Sequence, residues 1–284
     1  AFAGPGDGVI VQPPVYFPFF SAVTRSDRRL LLNPLTEADG HWQIDFDHLE
    51  RCAADGAKAL LLCSPHNPVG RVWRRHELEQ ILAIARRHAL MIFSDEIHAD
   101  LIYPGQQHIP LATLARPGDR IVTAMAPSKT FNLPGLGLSY LISSDPILRD
   151  ELRRVLAGLH VGNSNPFSLA AAEAAYREGG DWLDQLMGYL RDTQTAVTEL
   201  LAAELPQIRV AKTEGTYLLW LDCRGLGLSD VDLHRFFIDD ARLGLSAGTG
   251  FGQGGSGFMR LNIGAPRMEI LAGMRQLVTA WRMR

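Results

Sequence analysis

Residues 126–135 read APSKTFNLPG, and the lysine of this stretch, Lys129, is the starting point for both fold and function. Of the 28 basic residues in the chain, only Lys58, Lys129 and Lys212 are lysines. Arginine keeps its proton at ordinary pH, whereas a lysine with a lowered pKa can act as a nucleophile or form a Schiff base. Taken alone, Lys129 is better interpreted as a surface lysine, so a chemical role depends on the segments around it.

Three short apolar runs in the first half of the chain are each followed directly by a polar segment. They are residues 59–62 before 63–73 (CSPHNPVGRVW), 90–93 before 94–101 (SDEIHADL), and 120–126 before the stretch around Lys129. Short apolar runs bounded by turn residues predict buried strands. Open α/β sheets bind their ligands at the carboxyl ends of such strands. The three polar segments are therefore predicted to meet at one edge of a sheet.

In this order and at this separation, SPHNPVGR, SDEIH and SKTFNLPG resemble the motifs of fold-type I pyridoxal-phosphate (PLP) enzymes of the class I/II aminotransferase superfamily. The sequence is most similar to the cystathionine β-lyase, or C–S lyase, branch, also in PPVYFPF and GTGFGQGGSGFMRLNIGAPR. The resemblance extends to the last predicted helix. It implies an α/β fold of the aspartate aminotransferase type, in which a large domain with a mostly parallel sheet precedes a small α+β C-terminal domain. We expect these domains to span residues 1–190 and 191–284, with the boundary inside a long helix.

Local patterns predict the remaining elements. Helices are predicted at residues 74–87, 145–159, 165–178 and 181–204, after Asp45 or Asp47 up to residue 54, and from Ser229 and Pro266 onwards. Further strands are predicted at residues 9–12, 209–211, 216–222 and 257–263. Residues 33–49 are interpreted as an irregular connection. The glycine-rich residues 244–257 lack the strand-then-helix context of a dinucleotide site and are interpreted as a mobile loop at the active-site mouth.

Two charged residues have a chemical argument of their own. A carboxylate at the end of a buried strand, such as Asp95, is costly unless it meets a cation. A protonated pyridine nitrogen is such a cation, and it makes the PLP ring an electron sink. Arg260 lies among apolar residues in FMRLNIG and needs an anion, for which a carboxylate has suitable geometry. The resemblance implies that Arg260 binds the α-carboxylate of an amino-acid substrate; an internal salt bridge is the alternative.

The resemblance implies roles for five further residues. Lys129 would hold PLP covalently and act as general base, and Asn67 would donate a hydrogen bond to the phenolic oxygen of the cofactor. Ser128 would bind the phosphate, although Ala126 and residues 137–139 replace other phosphate ligands that are common in the superfamily. Tyr16 would lie over the ring. The alternative is that Tyr16, Phe17, Phe19 and Phe20 fill a core, which is the interpretation for most of the phenylalanines. His98, with Asp100, would surround Asp95, or be a structural histidine, and Glu96 is interpreted as a solvated or structural charge.

Composition limits the classes of function. The 284 residues are 46% hydrophobic, which is enough for one large or two modest domains, and the net charge of −3 argues against a nucleic-acid partner. Three cysteines without metal-type spacing are interpreted as buried thiols, and no metal site is expected. No membrane span or signal peptide is apparent, which predicts a cytoplasmic protein. The opening AFAGPG looks like the end of a helix, so we expect the chain to be a fragment whose relatives carry a preceding arm, strand and phosphate-binding helix.

The resulting functional hypothesis is a PLP-dependent C–S β-lyase that cleaves cystathionine or related cysteine S-conjugates to a thiol, pyruvate and ammonia. The alternative is a class I/II aminotransferase, because the same catalytic residues serve both reactions. A second alternative is a catalytically silent regulatory protein on the same fold. The resemblance also implies a homodimer.

Overall fold

Strands and helices alternate along most of the chain in the computed structural model, which describes residues 2–162 and 165–284. The strands are β1 Gly8–Val11, β2 Arg29–Leu32, β3 Thr36–Ala38, β4 His41–Gln43, β5 Ala57–Cys63, β6 Met91–Asp95, β7 Ile121–Met125, β8 Tyr140–Ile142, β9 Arg209–Val210, β10 Leu218–Asp222, β11 Ser246–Ala247 and β12 Phe258–Asn262. The α-helices are α1 Pro18–Thr24, α2 Phe46–Ala54, α3 Arg75–Arg87, α4 Pro127–Thr130, α5 Pro146–Gly158, α6 Pro166–Glu178, α7 Gly180–Glu204, α8 Asp230–Arg235 and α9 Arg267–Arg282.

A six-stranded sheet with the order β2-β1-β5-β6-β7-β8 forms the larger part of the molecule. Its strands are parallel except β8, which runs antiparallel to β7. The predicted strands at residues 59–62, 90–93 and 120–126 are confirmed as β5, β6 and β7. Cys63 is paired with Asp95, and Asp95 with Ala124, so these three strands end at the same edge of the sheet.

Apolar side chains alternate between the two faces of the central strands. Leu60, Leu62 and Ile92 face one core cluster together with the buried side of α3. Ala59 and Cys63 face the cluster on the other side of the sheet. Strands that are covered on both faces have this nearly continuous apolar character. The three cysteines, at positions 52, 63 and 223, are buried free thiols as predicted.

Helix starts follow the capping residues that the sequence contains. The Asp45 side chain accepts a hydrogen bond from the His48 backbone N–H at 2.8 Å, which identifies Asp45 rather than Asp47 as the N-cap of α2. Asp145 caps α5, where Pro146 takes the first helical position. Asn165 caps α6 in the same way. The predicted bounds of α3, α5, α6 and α7 are each confirmed to within one residue.

A second, antiparallel sheet with the order β11-β12-β10-β9 lies in the C-terminal third of the chain. Its core cluster is shared with α7, α8 and α9. This arrangement agrees with the predicted small α+β part. Helix α7 contains the predicted boundary between residues 190 and 191, which stays a prediction. None of the helices in the described residues is long and apolar enough to cross a membrane.

Two sequence interpretations are wrong. Residues 33–49 are not wholly irregular, because β3 and β4 form a two-stranded antiparallel sheet there. The glycine-rich residues 244–257 are a packed segment in which β11 pairs with β12 and Phe251 is fully buried. A Cβ on Gly248 or on Gly255 would overlap the carbonyl of the other. These glycines therefore permit two backbones to touch, rather than giving mobility.

Truncation of the central strand provides a test of this core. Leu60→Ala should lower the free energy of unfolding by about 2–5 kcal/mol, because Leu60 is 1% exposed and its loss leaves a cavity. Met268→Ala should change that free energy by less than about 0.5 kcal/mol, because Met268 is 84% exposed. Urea unfolding followed by circular dichroism measures both. Equal losses for the two variants would contradict the assignment of Leu60 to the core.

Candidate active site

The predicted polar segments meet at the carboxyl edge of the six-stranded sheet. Asp95 is the last residue of β6, and Lys129 lies in α4, which begins two residues after β7. Asn67 is buried in the loop that follows β5. The Lys129 ammonium is close enough to Asp95 to lower the pKa of that carboxyl group. The sheet topology thus brings together three residues that are far apart in sequence.

The short helix α4, which carries Lys129, is held in place by the residues on either side of this lysine. Pro127 starts α4, and the buried Thr130 donates a hydrogen bond from Oγ1 to Asp100 Oδ2 at 2.9 Å. Asp100 was expected to surround Asp95, but this hydrogen bond ties it to the lysine-bearing turn. Lys129 itself is half-buried. Its position is therefore fixed through the neighbouring residue while its amine remains accessible.

Asp95 is a largely buried carboxyl group, and no cation among the described residues is in direct contact with it. Burial raises its pKa to about 6, with a further upward contribution from the Glu96 carboxylate; the Ile97 N–H and the Lys129 ammonium act in the opposite direction. Asp95 Oδ1 accepts from the Ile97 N–H at 3.2 Å. Within the described residues, Oδ2 has no hydrogen-bond donor. Such a group favours a ligand that brings a positively charged N–H.

Glu96, by contrast, is fully occupied by protein donors. Its carboxylate accepts from Ser94 Oγ at 2.8 Å, from the Leu111 N–H at 3.1 Å, and contacts His108 Nε2 at 2.8 Å. Glu96 is 1% exposed. Of the two alternatives left by the sequence, the structural charge is confirmed and the solvated one is wrong.

Arg260 and Asn67 join the two sheets directly. Arg260 Nη1 donates to Asn67 Oδ1 at 3.0 Å, and Nη2 donates to Ser246 Oγ at 3.3 Å. The guanidinium lies 4.8 Å from the centre of the Phe251 ring. Arg260 forms no salt bridge with any described residue, and its buried Nε has no partner there. Burial lowers the pKa of Arg260, so an anionic ligand would stabilise its charge.

His98 lies next to an aromatic residue that sequence analysis did not identify. The His98 ring is buried and packs edge-on against Tyr217, with 6.0 Å between ring centres. Burial and the positive charges of Lys129 and Arg260 lower the pKa of His98 to about 3, so the ring is neutral at physiological pH. Its Nδ1 is buried without a partner among the described residues. Tyr217 follows no recognisable motif, because the sequence predicts only a strand at residues 216–222.

Tyr16 and Ser128 are also at this cleft. Tyr16 is 38% exposed, and its phenol is near enough to Tyr217 and Arg260 to affect their pKa values. Its neighbour Phe17 is exposed as well, so Phe17 is not one of the phenylalanines that fill a core. Phe19 and Phe20 are partly buried against the core cluster that contains Ala59 and Cys63. Ser128 is half-buried beside Lys129.

A cavity of about 680 Å³ opens from Lys129 towards α7 and residues 262–266. Its walls include Ser128, Trp182, Tyr189, Tyr217 and Asn262. The volume is that of a typical small-molecule site. Among the described residues, no cluster of three or more histidine, cysteine and acidic side chains is arranged to hold a metal ion.

Comparisons with known proteins agree with this geometry. A model of the aminotransferase class I and II family matches residues 1–276. The chain is 42% identical over 282 residues to cystathionine beta-lyase PatB of Bacillus subtilis, covering 99% of this chain and 73% of PatB. Protein MalY of Escherichia coli is 36% identical, with 98% and 71% covered. The crystal structure of cystalysin from Treponema denticola, which contains a pyridoxal 5'-phosphate cofactor, superposes with a TM-score of 0.97 at 38% identity and covers 99% of this chain and 72% of cystalysin.

The raised pKa of Asp95 predicts a pH-dependent stability in protein prepared without cofactor. A carboxyl group with a higher pKa in the folded state binds more protons when folded, so the free energy of unfolding falls as pH rises from about 4 to about 6. The Asp95→Asn variant has no carboxyl group to ionise there, so it does not show this fall in the free energy of unfolding. We expect it to raise the free energy of unfolding by about 1–3 kcal/mol at pH 7.5, with the gain shrinking towards pH 4.

Urea unfolding at the two pH values measures this effect, and Asp119→Asn is the matched control. The Arg86 guanidinium lowers the pKa of Asp119, so the same substitution there should lower the free energy of unfolding at pH 7.5. A loss of stability in Asp95→Asn at pH 7.5, as in the control, would contradict the electrostatic account of Asp95.

Proposed function

This chain belongs to the aminotransferase class I and II family, and on that premise we propose that it is a PLP-dependent C–S β-lyase acting on cystathionine or related cysteine S-conjugates. One observation carries the proposal: Lys129 lies near Asp95 and Arg260 is hydrogen-bonded to Asn67, in a chain 42% identical over nearly its full length to a cystathionine beta-lyase. The fold is that of PLP-dependent enzymes, as cystalysin exemplifies.

The unsatisfied groups of the cleft fit PLP. Asp95 would accept a hydrogen bond from the protonated pyridine nitrogen, which would return its pKa towards the ionised range. Asn67 Oδ1 is occupied by Arg260, so the amide nitrogen of Asn67 is left to donate to the phenolic oxygen. Ser128 would donate to the phosphate. These three residues would hold the ring at three different positions.

When bound, pyridoxal phosphate supplies an electron sink for negative charge at the substrate α-carbon. Lys129 contributes the amine that holds the cofactor aldehyde, and its Nζ then accepts the proton from the α-carbon. Asp95 keeps the proton on the pyridine nitrogen, which maintains the electron demand. Overall, the thioether and one water molecule give a thiol, pyruvate and ammonia.

Arg260 would bind the substrate α-carboxylate with its guanidinium. Its present partners, Asn67 and Ser246, are neutral, so a bound carboxylate would be the first anion on this buried cation. Charge-assisted bonds of this kind are about twice as strong as neutral ones. The Phe251 ring behind the guanidinium limits its movement.

Tyr16 and His98 would complete the cofactor site. A half-exposed phenol at the cleft can stack on the cofactor ring and offer its hydroxyl, which supports the role given to Tyr16. His98 is neutral, and its Nδ1 has no partner in the part of the chain that the structure describes, so it can contact the cofactor ring without adding charge. We also propose a cytoplasmic homodimer with domains at residues 1–190 and 191–284, in keeping with the family.

Aminotransferase activity is the alternative, because the family is named for it and the same four residues serve both reactions. The two differ in the fate of the electrons after the α-proton is removed. Departure of a thiolate from the β-carbon gives lyase products without a second substrate. Transamination requires an oxo-acid acceptor.

The decisive assay supplies PLP and L-cystathionine without an oxo acid and follows pyruvate and free thiol together. We expect equal amounts of both, and a loss of at least about a thousandfold in kcat for Lys129→Ala, since both the attachment of the cofactor and the general base are removed. Turnover only after an oxo acid is added would identify an aminotransferase. Absence of both activities, together with no borohydride-reducible adduct at Lys129, would support a silent regulatory protein.

Lys58→Ala serves as the matched control. Lys58 is an exposed lysine in β5, away from the carboxyl edge of the sheet. Its replacement should leave the yields of pyruvate and thiol unchanged. A similar loss in both lysine variants would mean that the assay does not report on the chemistry of Lys129.

A further inference from the structure

A buried arginine outside the catalytic cleft is held by two carboxylates. Arg71 is 1% exposed, and its Nε donates to Glu214 Oε2 at 2.9 Å. Its Nη2 donates to both oxygens of Glu77, at 3.0 and 2.8 Å. Nη1 donates to the Trp42 carbonyl, and the guanidinium lies 4.8 Å from the centre of the Trp73 ring. Every side of this guanidinium therefore has a fixed partner.

Buried ion pairs are poor devices for stability alone. Removing charges from water is costly, and a well-packed apolar replacement is often as stable or more stable. Arg71 and its two carboxylates therefore indicate that the segments which carry them must be held in a fixed relative position. Arginine meets that requirement because its planar fork fixes the direction of each partner.

The ion pair between Arg71 and Glu214 joins the two sheets. Arg71 belongs to the loop after β5 that carries Asn67, whereas Glu214 lies in the segment leading into β10. Glu214 Oε2 also accepts from the Val72 N–H at 2.9 Å, and the Glu214 N–H donates to the Gly70 carbonyl at 2.8 Å. The loop and the segment are thus connected through both side-chain and backbone bonds.

Gly70 makes this close approach possible. It has a φ of +70°, and a Cβ there would lie 2.6 Å from Thr213 Cγ2. A side chain at this position would separate the Asn67 loop from the Glu214 segment. The close backbone contact at Gly70 and the ion pair between Arg71 and Glu214 therefore hold the same two segments together.

The segment beyond Glu214 is held in an unusual conformation. Thr216 is fully buried and has a φ of +72°, which is rare for a β-branched residue and persists only when the surroundings enforce it. The Thr216 N–H donates to the Leu101 carbonyl at 2.7 Å, and the Leu218 N–H donates to Thr216 Oγ1 at 3.1 Å. From there β10 continues to Trp220, which is paired with Arg260 on β12.

We propose that Arg71 and Glu214 form a positioning clamp that fixes Asn67 relative to Arg260 across the two sheets. Asn67 is four residues before Arg71. Glu214 precedes β10, and Trp220 of β10 is paired with Arg260 of β12. The clamp maintains the 3.0 Å bond between Arg260 and Asn67. It thereby sets the spacing between the phenolic oxygen of the cofactor and the substrate α-carboxylate. This inference rests on the proposed function only in taking PLP and an amino acid as the ligands.

The first test is Arg71→Lys, which keeps the charge but cannot reach Glu214, Glu77 and the Trp42 carbonyl together. We expect the KM for L-cystathionine to rise about tenfold or more, with kcat changed less than about threefold, because carboxylate binding is impaired and the proton-transfer residues are intact. Arg86→Lys is the matched control. Arg86 forms a comparable two-bond pair with Asp119, at 2.9 and 2.7 Å, away from the cleft. Its replacement should leave both constants unchanged.

A double-mutant cycle separates positioning from general stability. The probe is 2-aminoisobutyrate, which has no α-hydrogen and so binds without proton abstraction; its affinity is measured from the visible absorbance of the bound cofactor. Arg71→Lys should weaken binding about tenfold in the wild-type background and less than about twofold when Arg260→Lys is already present. Equal losses in the two backgrounds would overturn the clamp.

Two provisions keep the test decisive. If Arg71→Lys does not fold, Glu214→Gln replaces it in the same cycle, because it retains an acceptor for Arg71 and Val72 but removes the charge. The binding measurement requires no lyase activity, so the clamp can be judged even if no pyruvate is formed. If wild-type protein freed of unbound PLP shows no cofactor absorbance, the proposed function has failed, and with it the ligands that the clamp is proposed to position.

Discussion

Two partly buried charges, the Asp95 carboxylate and the Arg260 guanidinium, constrain the rest of the structure. Neither has an oppositely charged partner in hydrogen-bond contact among the described residues, and burial shifts the pKa of each towards its neutral form. Such an arrangement costs stability unless a ligand supplies the opposite charges. It persists because each group sits on a strand of a well-packed sheet that cannot move to pair them. The cleft is therefore preorganised for a ligand that carries a cation and an anion at a set separation.

The residues of the candidate site come from both sheets. The parallel sheet presents Asn67, Asp95 and Lys129 on one edge, and the antiparallel sheet presents Arg260 from the other side. The helix that links the two sheets runs for 25 residues and packs against α9. Contacts between the sheets, rather than within either one, set the distance between Asn67 on the first sheet's edge and Arg260 on the second.

Much of the site could be predicted from the sequence because its residues lie in motifs with strong local constraints. Asp95 and Lys129 each follow a short apolar run, and Asn67 lies in a turn that its neighbouring prolines impose. Tyr217 could not be predicted, because its position depends on a left-handed Thr216 and on packing against His98. The hydrogen bond from Thr130 to Asp100 could not be predicted for a similar reason, because it spans 30 residues and leaves no periodic signal.

The glycine-rich segment has a consequence for directed evolution of substrate preference. It is an attractive target for random libraries, because it supplies Ser246 and Phe251 to Arg260. Its glycines differ sharply in tolerance, however. No described heavy atom lies within 4 Å of a Cβ built at Gly244 or Gly250, whereas Gly248 and Gly255 have no room for one. Libraries that vary the first pair and keep the second would sample new side chains without losing the support beneath Arg260.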